Sequence, residues 1–172
     1  MSGYLYKKRQ NRTLIKSSHF PYRTRESQKI RNVALIGVGG NVGNTLRRFK
    51  RLLTYINREP RLKLLATSTI LKNPPFGYLE QADFFNTLIL LETPLSAMEL
   101  LHLLQRIEQH FGRQRLFKNA PRTLDLDIIA FNKEKIKKIP KLIVPHPYYK
   151  ERESVTAPLR SLKGVKWLKR AL

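Results

Sequence analysis

Residues 119–132 read NAPRTLDLDIIAFN, a stretch with the branched apolar residues of a buried strand and two carboxylates inside it. Because side chains alternate between the two faces of a strand, Asp125 and Asp127 point to the same side. At that spacing their carboxylates lie roughly 7 Å apart and, at an effective dielectric constant near 20, repel each other by about 2–3 kcal/mol. A divalent cation, nearby arginines or a retained proton could offset this repulsion. The stretch therefore predicts either a metal site or a pair of aspartates held in ion pairs at a strand edge.

The same alternation sorts the remaining side chains of this strand, which we predict over 122–131. Leu124, Leu126, Ile128 and Ala130 are predicted to share the face opposite the two carboxylates. One face of the strand is therefore expected to lie in the core, and the other to carry the acidic pair.

The segments before this strand alternate between strand and helix patterns. Short apolar runs predict strands over 33–38, 62–71 and 84–91, whereas apolar residues at helical spacing predict helices over 46–56 and 96–111. Asn41 and Asn44 are candidate N-caps of the first helix, and Ser96 with Glu99 forms a capping box for the second. The order strand, helix, strand, strand, helix, strand is that of the split βαβ arrangement. We therefore predict an α+β, ferredoxin-like βαββαβ fold, with helices on one face of an antiparallel sheet and C-terminal additions.

The composition is unusual mainly in its charge. Thirty-four Lys and Arg stand against 12 Asp and Glu, a formal net charge of +22, and there is no cysteine among the 172 residues. This charge favours a polyanionic partner such as a nucleic acid or nucleotide phosphates, or else reflects a solvated basic surface. The sequence contains no apolar run long enough to span a membrane and no secretory signal pattern, so we expect a cytoplasmic protein without a membrane partner.

The two ends of the chain lack the patterns of the central part. Residues 1–31, with one acid (Glu26) among nine Lys and Arg, are predicted to be a basic and mostly irregular arm preceding a single domain over 32–172. Tyr4, Tyr6, Phe20 and Tyr22 are the residues that could hold the arm to the domain. The Lys-rich segment from 132 onward contains four prolines and is predicted to run over the surface.

Several charged residues near the quoted strand are candidates for a site. Arg113, Arg115, Lys118 and Arg122 fall within ten residues, and arginines beside aspartates suit the binding of phosphate oxygens and metal ions. Taken singly, each of these arginines is more typical of a solvated surface loop than of a site.

Two further residues stand out by their position. Glu108 falls on the apolar side of the second helix, with Gln105 beside it, so it is either a rim position or an acid that reaches a ligand. His146 lies between two prolines, where imidazole could contact a phosphate or simply occupy a rigid surface turn.

Read together, these motifs resemble the 6-hydroxymethyl-7,8-dihydropterin pyrophosphokinases of folate biosynthesis. The matching pieces run in order over about 32–160: GGN (39–41), NPPFG (73–77), DFFN (83–86), QRIE (105–108), GRQR (112–115), PRTLDLDI (121–128), VPHP (144–147), ERESV (151–155) and APL (157–159). The resemblance implies an ATP-dependent pyrophosphokinase that passes the β,γ-pyrophosphoryl unit of ATP to the hydroxymethyl oxygen of the pterin and releases AMP.

The resemblance also implies roles for individual residues. Asp125 and Asp127 would bind two Mg²⁺ ions, and Arg113, Arg115 and Arg122 would complete the catalytic set, with Arg115 acting as a closing clamp. The residues implied on the ATP side, in addition to the three arginines, are Gln105, Glu108, Ile128 (through its backbone), Lys141, His146 and Arg152. The residues implied to form the pterin slot are Asn73, Pro74, Pro75, Phe76, Phe84 and Asn86.

Two other functions are less consistent with the sequence than this one. RNA-binding modules can share the ferredoxin-like topology, but the sequence has no RNP-like K/R-G-F/Y pattern, and unmetallated aspartates on the sheet would repel phosphate. A catalytically idle scaffold is disfavoured because Asp125, Asp127, Arg113 and His146 are all present. We therefore expect a monomer whose ligands are ATP, the pterin and Mg²⁺, with no nucleic-acid partner.

Overall fold

The structure is a computed structural model, and it describes residues 5–9, 12–24, 32–75, 79–114, 120–138 and 140–172. The strands are β1 (Leu5–Arg9), β2 (Arg12–Lys16), β3 (Tyr22–Arg23), β4 (Asn32–Gly40), β5 (Lys63–Thr67), β6 (Ile70–Asn73), β7 (Phe84–Thr93), β8 (Asp125–Phe131), β9 (Ile136–Lys138) and β10 (Leu142–Val144). The helices are α1 (Thr45–Arg58), α2 (Ala97–His110), α3 (Glu153–Leu159), α4 (Leu168–Ala171) and a 3₁₀ turn at Arg160–Leu162.

The central sheet confirms the predicted ferredoxin-like α+β fold. Within the described residues, the main path of the sheet runs β1-β2-β6-β7-β4-β8, with β5 also paired to β7 and β3 to β5, and every pairing is antiparallel. The strand carrying the acidic pair, β8, lies at the edge of this sheet beside β4. Among the helices of the described residues, none is long and apolar enough to cross a membrane.

The first core lies between the sheet and the two long helices. Phe49, Leu52 and Ile56 of α1 pack there with the apolar side of α2, as their helical spacing predicts. The capping box of α2 is present, because the Ser96 hydroxyl accepts a hydrogen bond from the Glu99 amide and the Glu99 carboxylate accepts one from Ser96 N. Asn44 caps α1, whereas Asn41 does not, and the prediction of Asn41 as an N-cap is wrong.

A second core covers the opposite face of the sheet, and most of its cover comes from the C-terminal segment. Leu162, Trp167 and Ala171 are buried there against residues of β4 and β8 such as Leu35 and Ile129. The predicted surface course of the segment after 132 is therefore only partly correct, because its apolar residues form a second layer. Spacing alone did not reveal this layer, since α3 and α4 are too short for a helical period to show.

The N-terminal segment is also more ordered than predicted. β2 pairs with β6 and extends the sheet, and Ile15 and Phe20 are buried in the first core, where the Phe20 ring lies 6.3 Å from that of Phe49. The expectation of mostly irregular structure is wrong for the described part of 1–31. Phe20 does hold the segment to the domain, whereas Tyr22 is exposed. The side chains of Tyr4 and Tyr6 lie outside the described residues.

Two local irregularities of the sheet depart from the sequence prediction: a break that divides one predicted strand, and a bulge in β8. The strand predicted over 62–71 is divided into β5 and β6 at Ser68, whose hydroxyl accepts a hydrogen bond from Leu88 N across the break. In β8 the pairing with β4 shifts by one residue, so that Ile128 is opposite Ile36 but Ala130 is opposite Leu35. This bulge turns Ala130 to the second core, and the prediction that it shares a face with Leu124, Leu126 and Ile128 is wrong.

Candidate active site

The two aspartates lie opposite two glycines of the neighbouring strand. Asp125 pairs with Gly39 and Asp127 with Gly37, so both carboxylates stand on the sheet face that carries the second core. A Cβ added at Gly39 would lie 3.0 Å from Asn86 Oδ1, and one added at Gly37 would lie 3.1 Å from Ile129 Cδ1. Side chains on β4 would therefore crowd this face, and Gly37 and Gly39 form a floor without β-carbons beside the carboxylates.

A chain of ion pairs leads from α2 to the first of these carboxylates. Glu108 is buried and accepts a hydrogen bond from Leu126 N (2.7 Å), an outward-pointing amide of the edge strand. Arg113 Nη1 donates to Glu108 Oε1, and Arg113 Nη2 lies 2.6 Å from Asp125 Oδ1. Burial raises the pKa of Glu108, while the hydrogen bonds from Arg113 and Leu126 N act in the opposite direction. Glu108 thus fixes the guanidinium that in turn holds Asp125.

A second arginine approaches Asp125 from the other side. Arg122 Nη1 lies 3.4 Å from Asp125 Oδ2, and the guanidinium carbon lies 5.1 Å from the centroid of the Phe84 ring. Its Nε is buried and has no hydrogen-bond acceptor among the described residues. Arg122 therefore joins the acidic pair to Phe84 and retains an unused donor in the site.

Asp127 has a different environment from Asp125. Among the described residues no donor pairs with the Asp127 carboxylate, whereas Asp125 has both arginines. Burial raises the pKa of Asp127, and the charge of Asp125 raises it further, against the opposing charges of His146, Arg113 and Arg122. Arg113 and Arg122, which the sequence suggested could offset the repulsion, therefore neutralise Asp125. The carboxylate of Asp127 has no paired cation among the described residues.

This donor set fits a hard divalent cation. Mg²⁺ takes oxygen ligands, commonly one or two carboxylates, and completes its shell with water and substrate phosphates. The described part of the chain holds no cluster of three or more His, Cys, Asp or Glu side chains suited to a metal. The protein can therefore supply two carboxylate ligands to a metal ion here, and water or substrate phosphates would supply the remaining ligands.

A pair of hydrogen-bonded asparagines adjoins the acidic pair on the same face of the sheet. Asn86 lies opposite Gly39 in the strand pairing, and its Nδ2 donates to Asn73 Oδ1 (2.8 Å). Asn73 Nδ2 donates in turn to the carbonyl of Pro74 (2.8 Å), the first residue of the loop that continues through Pro75. Phe84 is mostly buried beneath Arg122. The structure thus brings together the described residues predicted for the pterin; Phe76 lies outside the described residues.

Asn41 has a structural role in this region that was not predicted from the sequence. Its Nδ2 donates to Gln81 Oε1 (2.9 Å) and to the Ala82 carbonyl (3.0 Å), and its Oδ1 accepts from Arg122 N (2.9 Å). The buried Asn41 side chain therefore ties the loop before β7 to the segment that carries Arg122. The available signal was the sequence GGN, in which two glycines precede a polar side chain at the end of a buried strand.

Of the remaining predicted residues, the structure relates His146 to the acidic pair. His146 is placed by a hydrogen bond from its backbone N to the Ile129 carbonyl (2.8 Å), and its charge acts on Asp127. The Ile128 side chain is in the first core, which leaves only its backbone for the predicted contact. In the described structure no hydrogen bond or ion pair joins Gln105, Lys141 or Arg152 to the two carboxylates. Arg115 lies outside the described residues.

Comparison with known proteins identifies the family of this chain. The model of the family 7,8-dihydro-6-hydroxymethylpterin-pyrophosphokinase matches residues 35–164. Proteins named 2-amino-4-hydroxy-6-hydroxymethyldihydropteridine pyrophosphokinase are similar to this chain in Helicobacter pylori (41% identical over 86% of this chain and 91% of the relative) and in Campylobacter jejuni (43% over 84% and 91%). The Bacillus subtilis protein of the same name is 38% identical over 76% of this chain and 78% of its own length. The chain therefore belongs to the 7,8-dihydro-6-hydroxymethylpterin-pyrophosphokinase family.

Proposed function

We propose that this protein catalyses the Mg²⁺-dependent transfer of pyrophosphate from ATP to the hydroxymethyl oxygen of 6-hydroxymethyl-7,8-dihydropterin, with release of AMP, in tetrahydrofolate biosynthesis. The observation that carries the proposal is the unequal pair of carboxylates on the glycine-lined floor. Asp125 is held by Arg113 and Arg122, and Asp127 has no cation of its own among the described residues. The cytoplasmic location and the monomeric state remain predictions.

Asp125 and Asp127 are the residues that would hold magnesium, and we expect two ions. The ions would supply neutralisation of the negative charge on the triphosphate. Asp127 contributes an uncommitted carboxylate, and Asp125 contributes one whose orientation is fixed by Arg113. On the same face of the sheet, the chain thus offers two carboxylate ligands for metal ions: Asp125, whose orientation is fixed, and Asp127, which has no ion-pair partner among the described residues.

Arg113 and Arg122 would hold phosphate oxygens of ATP. Both guanidiniums lie at Asp125, and the buried Nε of Arg122 is free to donate. Bidentate guanidinium contacts suit phosphate oxygens because donor and acceptor geometries match. Glu108 acts through Arg113, which it orients from behind. The clamp assigned to Arg115 and the nucleotide contacts of Gln105, Ile128, Lys141, His146 and Arg152 stay predictions.

The slot formed by Asn73, Asn86 and Phe84 is suited to a flat, polar ring such as the pterin. Asn side chains offer both donors and acceptors for the edge of the ring, and Phe84 offers a face for stacking. In the reaction, the hydroxymethyl oxygen forms a bond to the β-phosphorus as the bond from that atom to the α-phosphate oxygen breaks. The slot and the acidic pair share one face, so the hydroxymethyl group can be directed at the triphosphate.

The direct test is AMP release. We expect the purified protein to convert ATP to AMP only when both the dihydropterin and Mg²⁺ are present. Asp127→Ala is expected to lower turnover by orders of magnitude without unfolding the protein, because the substitution also removes repulsion within the pair. Glu134→Ala, an exposed acid at the other end of β8, is the matched control and should retain activity. Full turnover by the Asp127 variant would contradict the metal assignment. Absence of AMP release together with steeply salt-dependent RNA binding would contradict the proposed function.

A further inference from the structure

A cavity of about 510 Å³ lies between α1 and the C-terminal end of α2, in the size range of small-molecule sites. Its lining residues are Arg51, Thr54, Tyr55, Arg58, Glu59, His110 and Phe111. Both helices cover the face of the sheet opposite the carboxylates Asp125 and Asp127, which share the face of the second core. The cavity is therefore distinct from the candidate active site.

One side of this cavity is made of three rings. The centroid of Tyr55 lies 5.1 Å from that of His110 and 6.2 Å from that of Phe111, and His110 and Phe111 are 5.3 Å apart. Tyr55 and Phe111 are each only partly buried, so they retain exposed ring surface. Ring clusters at such distances offer stacking and edge contacts to a planar ligand.

The charge of the cavity is positive. Arg51 and Arg58 are exposed and lie two helical turns apart on the same side of α1, and Arg51 is 5.9 Å from the centre of the Phe111 ring. The carboxylate that lines the cavity, Glu59, is taken by Arg61 Nε (2.6 Å) and Nη2 (2.9 Å). Among the described residues no carboxylate pairs with Arg51 or Arg58. The rings are thus flanked by two guanidiniums whose charge no acid of the cavity neutralises.

We propose that this cavity binds a nucleoside monophosphate. The base stacks on Tyr55 and Phe111, and the phosphate accepts charge-assisted hydrogen bonds from Arg51 and Arg58. A phosphate monoester carries a charge of about −1.5 to −2 at neutral pH, which matches the two guanidiniums. A purely apolar ligand would leave these arginines unused, and inorganic phosphate would leave the rings unused. The inference does not depend on the proposed pyrophosphokinase activity.

NMR titration with AMP in the absence of Mg²⁺ tests the proposal, because the amide signals report on the two sites separately. We expect saturable shifts at Thr54, Tyr55 and Phe111, whatever happens at Asp125 and Asp127. Adenosine alone and inorganic phosphate alone should each bind at these residues about tenfold or more weakly than AMP, since each makes only part of the contacts.

Matched variants test whether AMP binding depends on Arg51 and Arg58 or only on the overall positive charge of the protein. Arg51→Ser with Arg58→Ser should weaken AMP binding at the cavity by about tenfold or more, the loss expected on removing charge-assisted hydrogen bonds. Arg47→Ser, an exposed arginine of α1 outside the cavity, should leave it unchanged. AMP-induced shifts confined to the Asp125 region, equal binding of inorganic phosphate and AMP, or unchanged binding in the double variant would each overturn the proposal.

Discussion

The two halves of the β4–β8 pair follow the same antiparallel ladder but are built from different residues. In one half, Leu35 of β4 is opposite Ala130 of β8, and both are buried beneath the C-terminal helices. In the other half, Gly37 and Gly39 are opposite Asp127 and Asp125, and β4 contributes no side chain to the same face of the sheet. The bulge beside Ile128 separates the two halves.

This difference shows how one strand pair can serve both stability and chemistry. Side chains in the first half fill the space above the sheet and stabilise the fold by their removal from water. Glycines in the second half leave that space to the aspartates and to the neighbouring side chains of Ile129 and Asn86, at the cost of the packing that β4 side chains would have provided. Changes in the first half should therefore reduce stability, whereas changes in the second should affect ligand binding or even increase stability.

The largest expected effect on stability is at the packed half. Leu35→Ala should lower the free energy of unfolding by about 2–5 kcal/mol, because Leu35 is fully buried and its truncation leaves a cavity. Urea unfolding followed by circular dichroism measures this. A loss below about 1 kcal/mol would show that the second core packs too loosely to support the comparison.

An added methyl group in the glycine half should have a smaller but position-dependent effect. A Cβ at Gly40 would lie 2.5 Å from the backbone oxygen of Thr123, so Gly40→Ala should cost about 1–3 kcal/mol and displace the segment carrying Arg122. Gly37→Ala is the matched control, because its added Cβ meets the end of the flexible Ile129 side chain. Equal losses in the two variants, measured by the same urea unfolding, would contradict the close approach of backbones at Gly40.

The smallest expected effect is a gain in the free energy of unfolding. In the folded protein the pKa of Asp127 is raised by burial and by Asp125, so the folded state binds this proton more tightly than the unfolded chain does. Stability is therefore lost as pH rises from the unfolded pKa, near 4, through the folded pKa. Without Mg²⁺, Asp127→Asn should raise the free energy of unfolding by about 1 kcal/mol at pH 7.

The pH dependence of that difference provides the control. The advantage of Asp127→Asn should disappear below about pH 4, where the aspartate is protonated in both states. Thermal unfolding at several pH values measures it. A variant that is less stable than the parent at pH 7 would indicate that Asp127 is stabilised by a partner in the metal-free protein.

The parts of the fold that sequence predicted correctly are those with long periodic patterns. The helices α1 and α2, the capping box at Ser96 and the position of Glu108 on the apolar side of α2 all followed from spacing. The bulge in β8 did not, because alternation assumes an unbroken ladder, and so Ala130 was placed on the wrong face. Ile15 and Trp167 were not predicted as core residues, since the short elements around them show no clear period.

The candidate site shows a similar division. The spacing of Asp125 and Asp127 predicted two carboxylates on one face, and the structure places Arg113 and Arg122 beside them as the sequence suggested. The inequality of the two carboxylates was not predictable, because it depends on which aspartate the guanidiniums reach in three dimensions. Asn41 was missed for the same reason, since its partners lie 40 and more residues away in sequence.

We propose above all that the glycine-lined half of β4–β8 binds the triphosphate of ATP through Mg²⁺ at Asp125 and Asp127. Isothermal titration with a non-hydrolysable ATP analogue, with and without Mg²⁺, tests it in the parent and in Asp127→Asn. We predict that Mg²⁺ tightens binding by about tenfold or more in the parent and has little effect in the variant. Equal affinity of the parent with and without Mg²⁺, or a full gain retained by Asp127→Asn, would contradict the claim.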